Sequence, residues 1–195
     1  MKKLDAAYWT ERYQLENTGW DTNGITTPLK EYFDQLTDRN LKILIPGAGN
    51  AYEAGYLWEN GFKNVFVLDW SPVPLKNFKT KYPDFPQEQL IQADFFKLDG
   101  KFDRIIEQTF FCAFEPELRE AYARKIPEIL TDAGALVGLL WNSHFSNDGP
   151  PFGGTIDEYE ELFSQFLSKE IYDESYNSIK QSAGREAYIK MSQKR

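Results

Sequence analysis

The sequence predicts an α/β fold: a doubly wound, mostly parallel sheet of seven strands whose last strand runs antiparallel, preceded by an N-terminal aromatic segment at residues 1–27. Three observations carry the prediction. Strand and helix patterns alternate from about residue 28 onward, the order that places helices on both faces of a parallel sheet. The strand candidates are continuous apolar runs, as in Val65-Phe-Val-Leu68 and Ala135–Trp141, which suits strands buried on both faces. The last two strands are separated by a turn-like stretch too short for a helical crossover, so the final strand turns back.

The elements follow in order. Thr27 reads as an N-cap and Pro28 as the first helical residue, with Leu29, Tyr32, Phe33 and Leu36 at helical spacing. Strand one is Lys42–Ile45. Asn50-Ala-Tyr-Glu53 has capping-box spacing and starts a helix at the glycine turn itself. Strand two is Asn64–Leu68, and Ser71-Pro72 opens a helix to about Tyr82. Leu90–Ala93 is strand three, ending at Asp94, and Phe102–Ile106 is strand four. Glu115-Pro116 opens a helix with Leu118, Tyr122, Ile126 and Ile129 on one face, and Pro127 kinks or ends it. Asp132-Ala-Gly134 is a turn and Ala135–Trp141 strand five. The Asn147–Phe152 loop, a helix over Thr155–Gln165 and strands near Lys169–Ser175 and Arg185–Ser192 complete the chain.

A chain of 195 residues is long enough for one domain with its own core. Hydrophobic content of 42% with 16% aromatics argues against disorder. No run approaches the ~20 apolar residues of a membrane span, and Met1–Tyr8 has no apolar h-region of a secretory signal. The net charge of −8 works against nucleic-acid partners, which need clustered Lys and Arg. A small-molecule partner is the better expectation, with a monomer favoured. Cys112 is the lone cysteine, so no intramolecular disulfide forms, which fits a reducing cytoplasm. His144 is the lone histidine, which argues against His/Cys metal sites and a Ser-His-Asp relay.

The chemistry gathers at the predicted strand tips. Gly47 and Gly49 form a tight turn that lets backbone approach a ligand, or that simply joins strand to helix. Asp69, twenty residues past Gly49, is placed to hold ribose hydroxyls. Tyr52 stands where a dinucleotide fingerprint has its third glycine, and no Gly-Lys-Ser/Thr follows, so a pyrophosphate ligand is disfavoured. Asp94 is suited to accept from an adenine amino group, with Phe95 beside it to cover the ring; the bland reading is a solvated turn acid. Trp9, Tyr13 and Trp20 read as packing, as a lid whose ring faces attract a sulfonium, or as both. S-adenosyl-L-methionine is the ligand this set suggests.

A long segment gives a family resemblance. Phe102-Asp-Arg-Ile-Ile-Glu-Gln-Thr-Phe-Phe-Cys-Ala-Phe-Glu-Pro-Glu-Leu-Arg119 is very similar to the F-D-L-I-x-D-x-x-F-F-C-A-I-E-P-E-x-R stretch of halide/thiol methyltransferases. Gly149-Pro-Pro-Phe152, Ile45-Pro-Gly-Ala-Gly49, and Tyr8–Tyr13 with Thr18–Asp21 are similar to further segments of the same group. The chain therefore resembles the thiopurine S-methyltransferase-like family, nearest its halide/thiol members. The resemblance implies a class I, Rossmann-like methyltransferase fold with S-adenosyl-L-methionine as cofactor. It implies cofactor contacts from Trp9, Tyr13, Trp20, Gly47 and Gly49, and from Asp69, Trp70, Asp94, Phe95 and Gln108. Gln108 departs from the family's Tyr or Arg beside the methyl-transfer centre, and Tyr13 replaces a Trp.

The expected reaction is in-line displacement at a sulfonium methyl by a thiolate, thiopurine or halide. Gln108, Phe110, Phe111, Pro151 and Phe152 are the candidates for the acceptor end, with Phe110 and Phe111 equally readable as core. Gly153-Gly154 lends the preceding loop the freedom of a lid. Cys112 reads as a buried small hydrophobe. His144 reads as cleft or surface loop, and Arg185 as an anion contact or an exposed sheet edge. Two rival readings stand beside this one. A nicotinamide-linked oxidoreductase is opposed by the absent third glycine; a non-catalytic adenosyl-ligand-binding module would bind cofactor and transfer nothing. No carboxylate cluster suited to Mg²⁺ is evident.

Overall fold

Strands β1 (Ile43–Pro46), β2 (Val65–Asp69), β3 (Leu90–Gln92), β4 (Phe102–Gln108), β5 (Leu130–Trp141), β6 (Leu167–Glu174) and β7 (Glu186–Gln193) form one sheet. The order is β3-β2-β1-β4-β5-β7-β6. These are the features of a computed structural model, which describes residues 3–146 and 149–194. Asn147 and Asp148 of the predicted loop lie outside the described residues. β1 to β5 pair in parallel, and β7 runs antiparallel to both β5 and β6. The predicted doubly wound sheet with its antiparallel last strand is the observed one.

Among the described residues six α-helices accompany it: α1 (Ala6–Gln14), α2 (Thr27–Asp34), α3 (Tyr52–Glu59), α4 (Pro72–Lys81), α5 (Arg119–Ile129) and α6 (Ile156–Phe163). Strand alternation divides the core. Ile43, Ile45, Val65 and Val67 face Leu29, Ala54, Leu57 and Phe78 of α2, α3 and α4. Leu44, Leu136 and Leu140 face Tyr122, Ile126, Tyr159 and Phe163 of α5 and α6. From β1 the chain winds outward to β3, then returns to place β4 on the other side of β1. That reversal opens a crevice at the carboxyl ends of β1 and β4, where doubly wound sheets bind their ligands.

Three local expectations are corrected. Asn50–Glu53 forms no capping box: α3 starts at Tyr52 behind Ala51, whose backbone is left-handed (φ 53), and no side chain caps it. Asn50 instead bonds Asp21. Thr27 is the first residue of α2 rather than its cap, and Thr26, in the cap position, makes no side-chain cap bond. Asp132-Ala-Gly134 does not end an element. The β4–β5 ladder passes from Phe102↔Leu130 to Arg104↔Ala135 across an irregularity inside β5. Glu115-Pro116 opens a short 3₁₀ turn, Pro116–Leu118, ahead of α5, and the remaining helix signals hold. Ser71 caps α4, Thr155 and Glu158 form a capping box on α6, and Pro127 lies in the last turn of α5.

Candidate active site

The glycine turn leaves β1 with Gly47 at φ +57 and Gly49 at φ +52, a conformation that favours glycine. Asp69 holds the turn. Its Oδ2 accepts from the Gly49 amide at 3.0 Å and its Oδ1 from the Ser71 amide at 2.8 Å. The side chain is 6% exposed, and burial pushes its pKa up to about 6 despite those amide bonds. An ionised carboxylate offers about four lone-pair positions, so it can bond two amides and still accept from a ribose diol.

The N-terminal segment closes over this turn. Asp5 starts α1 by accepting from the amides of Ala7 and Tyr8, and the Thr10 hydroxyl meets Ser71 Oγ at 3.0 Å. Trp20 stands edge-on to Trp9 at 5.5 Å and to Tyr13 at 5.8 Å. The Tyr13 phenol lies over Gly49, where an added Cβ would sit 2.8 Å from its oxygen. Burial raises the Tyr13 pKa, so the phenol stays neutral. Asp21 accepts from Tyr52 Oη at 2.9 Å. The cleft so formed is lined by Trp20, Asp21, Gly49, Glu53 and Gln108 among others. Glu53 is buried, and desolvation, with Asp21 nearby, pushes its pKa up to about 7.

The far wall is the turn after β4. Gln108 Oε1 accepts from the buried Thr26 hydroxyl at 3.2 Å. Thr109 has φ +57, an outlier for a β-branched residue. The Phe110 ring presses on Gly47, where an added Cβ would come within 2.0 Å of it. Phe110 thus backs the glycine turn and packs on Phe95, Phe114 and Tyr122, whereas Phe111 is core, packed on Tyr122, Tyr159 and Phe163. Behind both lies Glu107, 1% exposed. Its Oε1 accepts from the Phe110 and Phe111 amides, both at 2.8 Å, and its Oε2 accepts from Tyr122 Oη at 2.6 Å. Burial pushes its pKa up to about 7. It faces Gly138 across the ladder; a Cβ there would lie 2.1 Å from the Glu107 carbonyl oxygen. Sequence reasoning assigned no role to Glu107 or Thr26, and read Glu53 only as the far end of a capping box.

The remaining candidates divide. Trp70, 36% exposed, follows Asp69 at the cleft side of β2. Asp94 accepts from the Phe96 amide at 3.0 Å, capping a short turn. Phe95 packs on Phe96, Phe110 and Tyr122 and is 3% exposed, so it offers no open ring face. The Pro151-Phe152 segment is pinned rather than free. The Phe152 amide donates to the Cys112 carbonyl at 2.7 Å, and Arg119 Nη2 donates to the carbonyls of Phe152 and Gly153. Gly153 and Gly154 serve close packing against Ser143 and Tyr159, not hinge freedom. A Gly153 Cβ would lie 1.8 Å from the Ser143 carbonyl oxygen, so Gly153→Ala is expected to destabilise by roughly 2 kcal/mol, read as a lowered urea midpoint with unchanged slope. His144 lies on the surface, 67% exposed and 3.9 Å from Glu158. Cys112 is buried, with its thiol pKa raised by burial.

The donor set fits S-adenosylmethionine. A buried acid beside a left-handed glycine turn suits the ribose, and the Trp9, Tyr13 and Trp20 rings beside it are of the kind that attracts a sulfonium. Asp21 and Glu53 offer negative charge to an ammonium, and the buried Arg12 Nε has no hydrogen-bond partner. Among the described residues no cluster of His, Cys, Asp or Glu is arranged to hold a metal ion.

Comparison with known proteins agrees. The family model described as Thiopurine S-methyltransferase (TPMT) matches residues 4–193. The chain is 27% identical over 167 residues to probable thiol methyltransferase 2 of Arabidopsis thaliana, covering 83% of this chain and 74% of that one. It is 27% identical over 192 residues to thiocyanate methyltransferase 1 of the same plant, covering 95% and 84%. In fold it is similar to 1,6-didemethyltoxoflavin-N1-methyltransferase of Burkholderia thailandensis, solved with its substrate and S-adenosylhomocysteine. That match has a TM-score of 0.80 at 15% identity, over 97% of this chain and 87% of that one. A family match over nearly the whole chain, on the sheet and cleft described above, establishes that the chain belongs to the thiopurine S-methyltransferase family and is an S-adenosylmethionine-dependent methyltransferase.

Proposed function

We propose that the chain methylates a small, soft nucleophile that arrives as an anion: a thiolate, a thiopurine or a halide. The observation that carries this reading is Gln108 at the tip of β4, its carbonyl oxygen committed to Thr26. With its oxygen so engaged, the amide N–H₂ is the group left to donate to an incoming anion without adding charge. Among the described residues neither the lone histidine nor the lone thiol serves it as a base, since His144 lies on the surface and Cys112 is buried, and the cleft acids Asp21 and Glu53 are read as partners of the cofactor's ammonium. An acceptor already ionised near pH 7 needs no base.

The cofactor supplies an electrophilic methyl group when bound. The chain supplies position and dryness. Asp69 fixes the ribose end, Trp9, Tyr13 and Trp20 exclude water, and Phe110 with Gln108 aligns the acceptor opposite the leaving sulfur. Trp70 and Asp94 bracket the adenine side. No described helix is long and apolar enough to cross a membrane. We further read the protein as a cytoplasmic monomer acting on a small molecule.

Two measurements test the reading. S-adenosylhomocysteine is expected to raise the melting temperature, by about 3 kcal/mol of stabilisation at a hundredfold excess over its Kd, and NADH to leave it unchanged. Iodide, bisulfide, thiocyanate, an aromatic thiol and a thiopurine are then offered to wild type and Gln108→Tyr, with the rank order of kcat/KM expected to change by at least tenfold. Binding without transfer to any of them would favour a non-catalytic module. An unchanged rank order would remove Gln108 from the acceptor end.

A further inference from the structure

We infer that Arg12 is the anchor for the α-carboxylate at the amino-acid end of the bound cofactor, and that this bond is what fastens the aromatic cap. The inference rests on the cofactor reading above and adds a residue and a ligand group to it.

Arg12 lies one position before Tyr13 on α1. Its guanidinium carbon stands 5.2 Å from the Trp20 ring centroid, and Trp20 lines the cleft. Its Nε is buried and has no hydrogen-bond partner. The ion pairs formed among the described residues leave Arg12 out, in a chain of net charge −8. Lys3, on the same segment, is paired with Asp5. A buried guanidinium donor without a partner asks for an explanation, because native folds pair such groups.

Charge complementarity says what the partner is. The cleft lining includes Asp21 and Glu53 and no Lys or Arg. An α-amino acid group carries an ammonium and a carboxylate on one carbon. The two acids suit the ammonium; the carboxylate, one bond away, needs a cation. Arg12 is the cation that α1 brings to this rim. Its Nε–H and a neighbouring Nη–H form a parallel fork that fits two carboxylate oxygens. Tyr13, on the same helix, and Trp20, just beyond its end, then close over a ligand that the helix is holding.

Calorimetric titration of the full chain with two ligands tests this. S-adenosylhomocysteine carries the amino-acid end; 5′-methylthioadenosine has the same adenosine and thioether without it. Arg12→Met is expected to weaken S-adenosylhomocysteine about 10- to 100-fold and to leave methylthioadenosine within about twofold. Arg12→Lys is expected to fall between, since an ammonium keeps the charge and loses the fork. Equal weakening of both ligands would overturn the inference in favour of a packing role on Trp20, and so would no weakening of either. Thermal melts of the unliganded variants separate these outcomes from misfolding, with Arg12→Lys as the variant that keeps the stem. Failure of wild type to bind either ligand would instead overturn the cofactor assignment itself.

Discussion

Asp69→Asn is expected to cost about 10²- to 10³-fold in affinity for S-adenosylhomocysteine while leaving the unliganded fold close to its original stability at pH 8. Two magnitudes decide this. Loss of the charged acceptor weakens the bonds from two ribose hydroxyls, each charge-assisted and worth roughly 1.5–3 kcal/mol. In the unliganded protein the asparagine N–H₂ must face either the Gly49 or the Ser71 amide, donor against donor, since both oxygens of Asp69 are occupied by them. That conflict costs about 1–3 kcal/mol. Against it, the carboxylate is buried, with a pKa raised to about 6. Keeping it ionised in the fold at pH 8 costs ~3 kcal/mol, which the neutral amide avoids. The stability terms nearly cancel; the binding terms do not. Calorimetry beside a thermal melt separates them, and an affinity within tenfold of wild type would remove Asp69 from the cofactor site.

The second large effect is on stability and pH. Glu107 has its folded pKa raised by burial to about 7. The fold therefore holds the proton more tightly than the unfolded chain does. The stability linked to that proton is fully present below the unfolded value near 4.5, and is lost as pH rises through 7. Glu53 and Asp69, raised to about 7 and about 6, act in the same direction. The melting temperature is thus expected to fall between pH 5 and pH 8. Glu107→Gln keeps an oxygen for the Phe110 and Phe111 amides and an N–H₂ for the Tyr122 oxygen, with no charge to bury. It is expected to gain ~2 kcal/mol over wild type at pH 8, about 5 °C for a chain of this size, with the gain shrinking toward pH 5. Melting curves from pH 5 to 8.5 decide the matter: parallel profiles for the two proteins would mean that Glu107 is not the titrating group.

Much of the architecture was legible because it depends on period and punctuation. Apolar runs mark β1, β2 and β5, and Ser71-Pro72 and Thr155 mark helix starts by chemistry that acts within one turn of chain. The glycine turn and Asp69 were legible as strand-tip residues, and Gln108 only through the family resemblance. What was not legible depends on partners distant in sequence or on backbone handedness. Asn50–Glu53 has capping-box letters, but Ala51 takes a left-handed conformation that an alanine does not announce. Gly153 looked like freedom and is contact. Glu107 is an acid inside an apolar strand, a visible anomaly, yet its purpose appears only when register sets it against Gly138 and folding brings Tyr122 to it. Arg12 was invisible in the same sense, since letters cannot say that a donor lacks a partner.

The Thr26–Gln108 bond spans 82 residues of chain, Tyr52–Asp21 spans 31, and Tyr176 of the β6–β7 turn reaches back 145 residues to Glu31 on α2. The cleft, lined from Trp20 to Thr109, is therefore built from segments far apart in sequence that meet in the folded sheet. During synthesis, α1 and the glycine turn emerge long before the strand tips they close upon. A bound cofactor therefore ties these distant segments together and lends its free energy to the fold that unites them.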